Sequence, residues 1–256
     1  MTPEEQDNHW HTFNSFQQAM ERKYTPIIQA ALKAQIDKFA STGDVNSFSS
    51  ERVFKALKDL YYYTGPKWAH KAILNLRKQK ERRPMGFNDR IVQLMKAYYG
   101  VDILNQAEHI TSTTRELIQQ VLSDAATEGF GFDEVVYRLR NTELTQARAR
   151  MIARTETVTA ANGAARLAAK DTGLALNKIW ISIRDKRTRH SHRIEDNTVV
   201  DIDQPFKVGD DGAQMQEPGA RTQPNGLPVP PKEFINCRCT QAFIPKRDKN
   251  GRLIYA

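Results

Sequence analysis

Lys178-Ile179-Trp180-Ile181-Ser182-Ile183 places an isoleucine at every second position, which is the period of an extended strand with Ile179, Ile181 and Ile183 on one face. The residues before it follow another rule. Ala160, Ala161, Gly163, Ala164, Ala165, Ala168 and Ala169 crowd a run that Thr142 is placed to cap and that Thr172-Gly173 ends. Alanine favours helix, and small side chains let a neighbouring element come close. The expectation is a long helix feeding a strand. Thr198–Ile202 and Cys237–Ile244 read as two more strands, and the proline- and glycine-rich residues 207–234 as a long irregular loop.

Towards the N-terminus the pattern is helical throughout. Phe16, Ala19, Met20, Ile27, Ala31, Ala34 and Phe39 recur at mostly helical spacing between Phe13 and Ala40, with Pro26 as a boundary or kink. Ser41-Thr42-Gly43-Asp44 is a turn, and Ser49 or Ser50 can cap a helix carrying Val53, Phe54, Leu57 and Leu60. Gly65-Pro66 is expected to stop that helix and start another through Arg83, with a break at Arg83-Pro84-Met85-Gly86. Helices over Asn88–Tyr99 and Ile103–Ser123 follow. Glu128–Asp133 marks the expected boundary between a helical N-terminal region, 1–128, and an α+β domain, 129–256, in which Asp133 caps a short helix to Leu139. The fold class is thus mainly α with a C-terminal α+β domain: a long helix packed on a small β-sheet with long irregular loops.

The 256 residues carry a net charge of +8, unevenly spread. Residues 52–96 hold 12 basic and 3 acidic side chains, whereas residues 97–141 hold 3 and 7. On a helix over residues 67–83, Lys67, Lys71, Lys78 and Arg82 fall on one side and Trp68, Ala69, Ala72 and Leu76 on another. That basic side is a candidate contact for nucleic-acid phosphates or an acidic partner, or else a solvated face of a core helix. A hydrophobic content of 39% with 11 Phe, 8 Tyr and 3 Trp supports a packed core and argues against disorder. The acidic start is no secretory signal, and no apolar run approaches the roughly 18 residues of a membrane span. Two cysteines one residue apart make no disulfide framework, which points to synthesis in a reducing cytoplasm.

Candidate chemistry is concentrated late in the chain. His192, Cys237 and Cys239 are plausible zinc ligands, with His190 or Asp185 as a fourth, or else a buried cysteine pair beside a hydrogen-bonded histidine. Cys-x-Cys on a strand would put both sulfurs on one face. A catalytic Cys–His pair is a third option, requiring a depressed thiol pKa and a histidine within reach. Asp185 stands among Arg184, Lys186, Arg187, Arg189 and Arg193, as a turn pinned by its carboxylate or as a phosphate-binding loop. Arg154 and Glu156 lie on the long helix, and one of them is expected to be buried and to tie the helix to the Asp185 loop.

Taken in order, Ala153-Arg154-Thr155-Glu156, then Trp180, then Asp185, Arg187, Thr188, Arg189 and His192, then Asn236-Cys237-Arg238-Cys239 resemble the Mu-F-like minor head protein family of tailed bacteriophages, the head morphogenesis family. The family tends to have glycine where this chain has Asn197, and asparagine also tolerates a left-handed turn. The resemblance implies a minor head protein made in the host cytoplasm and carried in the virion head near the portal vertex. It implies the phage portal protein as partner, with major capsid or scaffolding protein and packaged double-stranded DNA as further candidates. The implied role is procapsid assembly and DNA packaging or delivery, with no catalytic residue and no cofactor. The alternative is a phage-encoded enzyme, a zinc-dependent nuclease or transferase, built on the C-terminal domain.

Overall fold

The computed structural model describes residues 1–74, 76, 86–183 and 185–256, without the side chains of residues 142–144. Lys78, Arg82, the helix end and break expected at Arg83, and Arg184 lie outside the described residues. Seven helices and five strands form the described chain: α1 (Pro3–Thr42), α2 (Glu51–Ala72), α3 (Phe87–Glu128), α4 (Phe132–Leu139), α5 (Thr142–Lys170), β1 (Leu176–Ile181), α6 (His190–Glu195), β2 (Val199–Asp201), β3 (Phe206–Val208), β4 (Ala213–Met215), α7 (Pro231–Phe234) and β5 (Thr240–Pro245). The fold is mainly helical, with the strands confined to the C-terminal part.

Several helices are longer than local signals imply. α1 begins at Pro3, where Thr2 and Glu5 form a reciprocal capping box, and runs through Pro26 to the left-handed Gly43. Pro26 is exposed, so the carbonyl its missing amide leaves free faces water, while Tyr24 and Ile28 beside it are buried. α2 likewise continues through Gly65-Pro66, which does not end it. Tertiary contact overrides the breaker here. A Cβ at Gly65 would lie 2.3 Å from Met95 Sδ and 2.9 Å from the Ala164 Cβ, so the glycine lets α2, α3 and α5 close on one another. The two helices expected on either side of Gly100 are one, α3, because Tyr99 and Ile103 are both buried in the same core. Ser50 occupies the N-cap position of α2 without a side-chain cap bond, its hydroxyl going instead to Glu108. Gly131, not Asp133, is the N-cap of α4, so Asp133 sits in the first turn, where its charge still meets the positive helix end.

α5 lies at the centre. Every residue from Thr155 to Arg166 is buried. Its small side chains meet α1, α2 and α3, and Ala160, Ala161, Ala164, Ala165, Ala168 and Ala169 share one apolar core with Tyr24, Leu57, Tyr61, Trp68, Met95, Tyr99 and, beyond α5, Trp180 and Phe206. That core is continuous across residues 1–128 and 129–256.

The sheet is antiparallel in the order β2-β1-β5, with Ile179 opposite Val199 on one side and Ala242 on the other. Ile179, Ile181 and Ala242 form a separate cluster with Trp10 of α1, and His9 Nε2 sits 3.0 Å from the Gln241 carbonyl. On the opposite face Trp180 and Lys178 are fully buried. The Lys178 ammonium contacts the Gln216 carbonyl at 2.6 Å, and burial pulls its pKa down to about 8. The expected long loop is more ordered than its composition suggests, since it holds the β3–β4 hairpin and α7.

Gly163 tests the closeness of this packing. A Cβ there would stand 1.7 Å from the buried Tyr99 hydroxyl and 2.6 Å from its Cζ. Gly163→Ala should therefore lower stability by about 1–3 kcal/mol in denaturant unfolding, despite the roughly 1 kcal/mol that alanine adds to helix propensity. A neutral or stabilising result would show that the Tyr99 ring has room to move.

Candidate functional site

Many of the polar side chains singled out in the sequence, among the described residues, reach specific partners inside the fold. On α5, Arg154 donates to both Glu21 carboxylate oxygens at 2.9 Å and to Asn236 Oδ1 at 3.4 Å. Thr155 Oγ1 accepts the Asn236 amide at 3.0 Å. Glu156, 1% exposed, accepts from Tyr61 Oη at 2.9 Å, from Gln106 Nε2 at 3.4 Å and from Arg221. Arg221 also donates to Tyr61 Oη at 2.9 Å, so the three form a closed triangle. Neither Arg154 nor Glu156 touches Asp185, contrary to expectation. Their ties run to α1, α2, α3 and the C-terminal loops.

Asp185 is held by Arg238. The guanidinium meets the two carboxylate oxygens at 2.6 and 2.8 Å, while Oδ1 also accepts the Arg187 amide at 2.9 Å and Thr188 Oγ1 at 3.2 Å. Hydrogen bonding to Arg238 outweighs partial burial and, with the Arg187 amide, holds the carboxyl well below its usual range. The single Thr188 hydroxyl proton is shared between Asp185 Oδ1 and the Ile183 carbonyl, and Arg189 donates to the Ile235 carbonyl. Arg187 itself remains largely exposed.

The cysteines lie in the bend before β5, not on the strand. Asn236 takes a left-handed backbone (φ 57°), and the Cys237 amide donates to the Phe234 carbonyl at 3.1 Å. Both sulfurs still face His192, whose Nδ1 lies 3.3 Å from Cys239 Sγ and 3.8 Å from Cys237 Sγ. These three donor atoms lie within 4.8 Å of one another, and the three residues are at most 2% exposed. Neither His190, which is exposed, nor Asp185 joins them. The other ring nitrogen, Nε2, is 3.2 Å from Glu233 Oε2, which also accepts Ser191 Oγ at 2.9 Å. Trp180 packs edge-on against the His192 ring, 5.4 Å between centroids. Hydrogen bonding from Cys239 and the nearby His192 lower the Cys237 thiol against the opposing effect of burial. Burial and the Cys237 charge raise Cys239. Burial disfavours His192 protonation, but the Cys237 thiolate more than offsets it and raises the histidine.

Asn197 takes the left-handed backbone that asparagine tolerates (φ 70°) and donates its amide to the Trp180 carbonyl at 2.9 Å. Lys67 and Lys71 are exposed on α2 while Trp68, Ala69 and Leu76 are buried. Lys67 Nζ donates to Tyr63 Oη at 2.6 Å.

Sequence reasoning passed over Glu233, Glu217, Arg221, Arg166 and Asn162. Four of them lack any local signature. Asn162 had one, as an amide in a run of alanine and glycine. Its Nδ2 donates to the Pro218 and Cys239 carbonyls at 3.0 Å each, and its Oδ1 accepts Thr240 Oγ1 at 3.0 Å. Glu217 and Arg166 form a second buried pair, Nε to Oε2 at 2.6 Å, and Glu217 also accepts Tyr99 Oη at 3.0 Å.

Comparison with known proteins matches residues 116–242 to the family described as Phage Mu protein F like protein. Minor head protein GP7 of Bacillus phage SPP1 is 29% identical over 132 residues, 50% of this chain and 40% of that protein. NAD(+)–arginine ADP-ribosyltransferase EFV of Enterococcus faecalis is 32% identical over 134 residues, 49% of this chain and 25% of that protein. The chain thus spans less than half the length of either relative. No solved structure matches the chain.

Asp185 gives a pH test with a defined sign. A carboxyl lowered in the folded state adds stability above its unfolded pKa, near 3.8, and loses it as pH falls through the lower folded value. The stability difference between the wild type and Asp185→Asn should be full at pH 5 to 7 and shrink steadily in the acid range below about pH 4, followed by urea unfolding. A difference independent of pH would sever the link between this pair and stability.

Proposed function

Because the chain belongs, through residues 116–242, to the phage Mu protein F like family, we propose that it is a minor head protein that joins the virion head at the portal vertex and acts in procapsid assembly and DNA packaging or delivery. The similarity to the minor head protein of Bacillus phage SPP1 supports this reading. The carrying structural observation is how the motif residues are used. Arg154, Thr155, Glu156, Asp185, Thr188, Arg189 and Arg238 all bind other parts of the same chain. A motif whose side chains are occupied in this way shapes a surface for assembly and leaves little for turnover. Head proteins, and the portal protein first among them, are the partners this reading names.

The similarity to an ADP-ribosyltransferase favours the alternative, an enzyme. That match covers a quarter of the transferase, so three quarters of it lies beyond the shared stretch. The one thiol here with a lowered pKa, Cys237, is 1% exposed, and no substrate reaches it without an opening of the fold. Both points support assembly over catalysis.

The decisive experiment is to follow the chain through head formation. It should co-purify with procapsids and bind isolated portal protein. Its absence from heads would reject the proposal, and normal incorporation of a Cys237→Ser, Cys239→Ser variant with loss of infectivity would favour chemistry at the thiols. For DNA contact, the exposed Lys67 and Lys71 are the accessible test. Replacing both with Gln should flatten the dependence of duplex-DNA affinity on salt by up to about two units in a log–log plot. An unchanged slope would direct that face to a protein partner.

A further inference from the structure

We propose that His192, Cys237 and Cys239 bind a divalent metal ion, zinc by the chemistry of the donors, and that the ion staples α6 to the segment leading into β5. The donor set is one imidazole and two thiols, the ligand types zinc prefers. With zinc–sulfur bonds near 2.3 Å and zinc–nitrogen bonds near 2.0 Å, a nitrogen and a sulfur on one tetrahedral ion stand about 3.5 Å apart. The observed separations from Nδ1 are 3.3 and 3.8 Å and all three donor atoms lie within 4.8 Å of one another, so the two sulfurs need close by no more than about 1 Å to reach the roughly 3.8 Å they take on one tetrahedral ion.

The surroundings of the histidine point the same way. Glu233, itself 3% exposed, lies 3.2 Å from Nε2 and is fixed from its other side by Ser191. A carboxylate there keeps the proton on Nε2 and leaves the Nδ1 lone pair directed at the sulfurs, which is how metal-bound histidines are commonly oriented. The Cys239 amide points at Cys237 Sγ at 3.4 Å, a donor that stabilises a thiolate ligand. Three protein donors leave a fourth position for water or another small ligand. The burial of all three makes the site a structural one, and its ligands lie 45 and 47 residues apart in sequence.

The test uses the full chain, purified under reducing conditions without chelator. Elemental analysis should give one zinc per chain. Cobalt(II) added to the chelator-stripped protein should produce the intense thiolate-to-cobalt absorption of a sulfur-ligated site. Cys237→Ser, Cys239→Ser should lose both signals. Glu233→Gln keeps all three ligands and should weaken zinc affinity about 10- to 100-fold while the chain remains folded by circular dichroism. That variant separates loss of metal from loss of fold. The proposal is overturned if the stripped, reduced wild type takes up neither zinc nor cobalt. It is equally overturned if zinc binds but the double serine variant retains it, or if Glu233→Gln binds zinc as tightly as the wild type. Zinc uptake by a chain that fails to enter heads would leave this site standing and reject the head-assembly reading alone.

Discussion

A helix buried on every side for about three turns must find nearly all of its polar partners inside the protein, and α5 from Thr155 to Arg166 is such a helix. Most of the remaining architecture follows from that constraint. Alanine and glycine supply the close approach of α1, α2 and α3. Of the polar residues that remain, Thr157 keeps an unpartnered hydroxyl, whereas Thr155, Glu156, Thr159, Asn162 and Arg166 are met by partners, many of them brought by the C-terminal loops: the amide of Asn236, Arg221, the carbonyl of Gly219, the carbonyls of Pro218 and Cys239, and Glu217. The prolines and glycines of residues 207–234 thus thread a backbone that has to deliver particular groups to particular places on one helix.

The two buried ion pairs in this set, Glu156–Arg221 and Glu217–Arg166, are best understood as devices of placement. Desolvating two charges costs about as much as their attraction returns, so such pairs add little net stability, although removing one partner costs about 3–5 kcal/mol. Tyr61 and Tyr99 complete them, and those tyrosines come from α2 and α3. Each pair therefore joins three parts of the chain at one point and rejects any register in which a charge would be left alone.

Helix and strand types, the bury-one-face pattern of Ile179 and Ile181, and the gathering of His192 with both cysteines were legible because they rest on periodicity or on rare residue types. The breakers misled for a physical reason. Gly65-Pro66 signals an end locally, but the space between α2, α3 and α5 admits no side chain at position 65, so the same glycine serves packing. The strand assigned to Cys237 began too early because Asn236 turns left-handed, a preference that sequence permits without requiring. Arg238 could not be paired with Asp185 from sequence, and Glu233 could not be placed beside His192, since both contacts cross more than forty residues with no local trace.

The stretch shared with other proteins begins at residue 116, inside α3, which starts at Phe87. Two of its motif residues look outward across that border: Arg154 to Glu21 and Glu156 to Tyr61. In this chain the matched stretch is therefore not self-sufficient. A leading region exchanged into this chain would have to provide a carboxylate for Arg154 and a hydroxyl or its equivalent for Glu156.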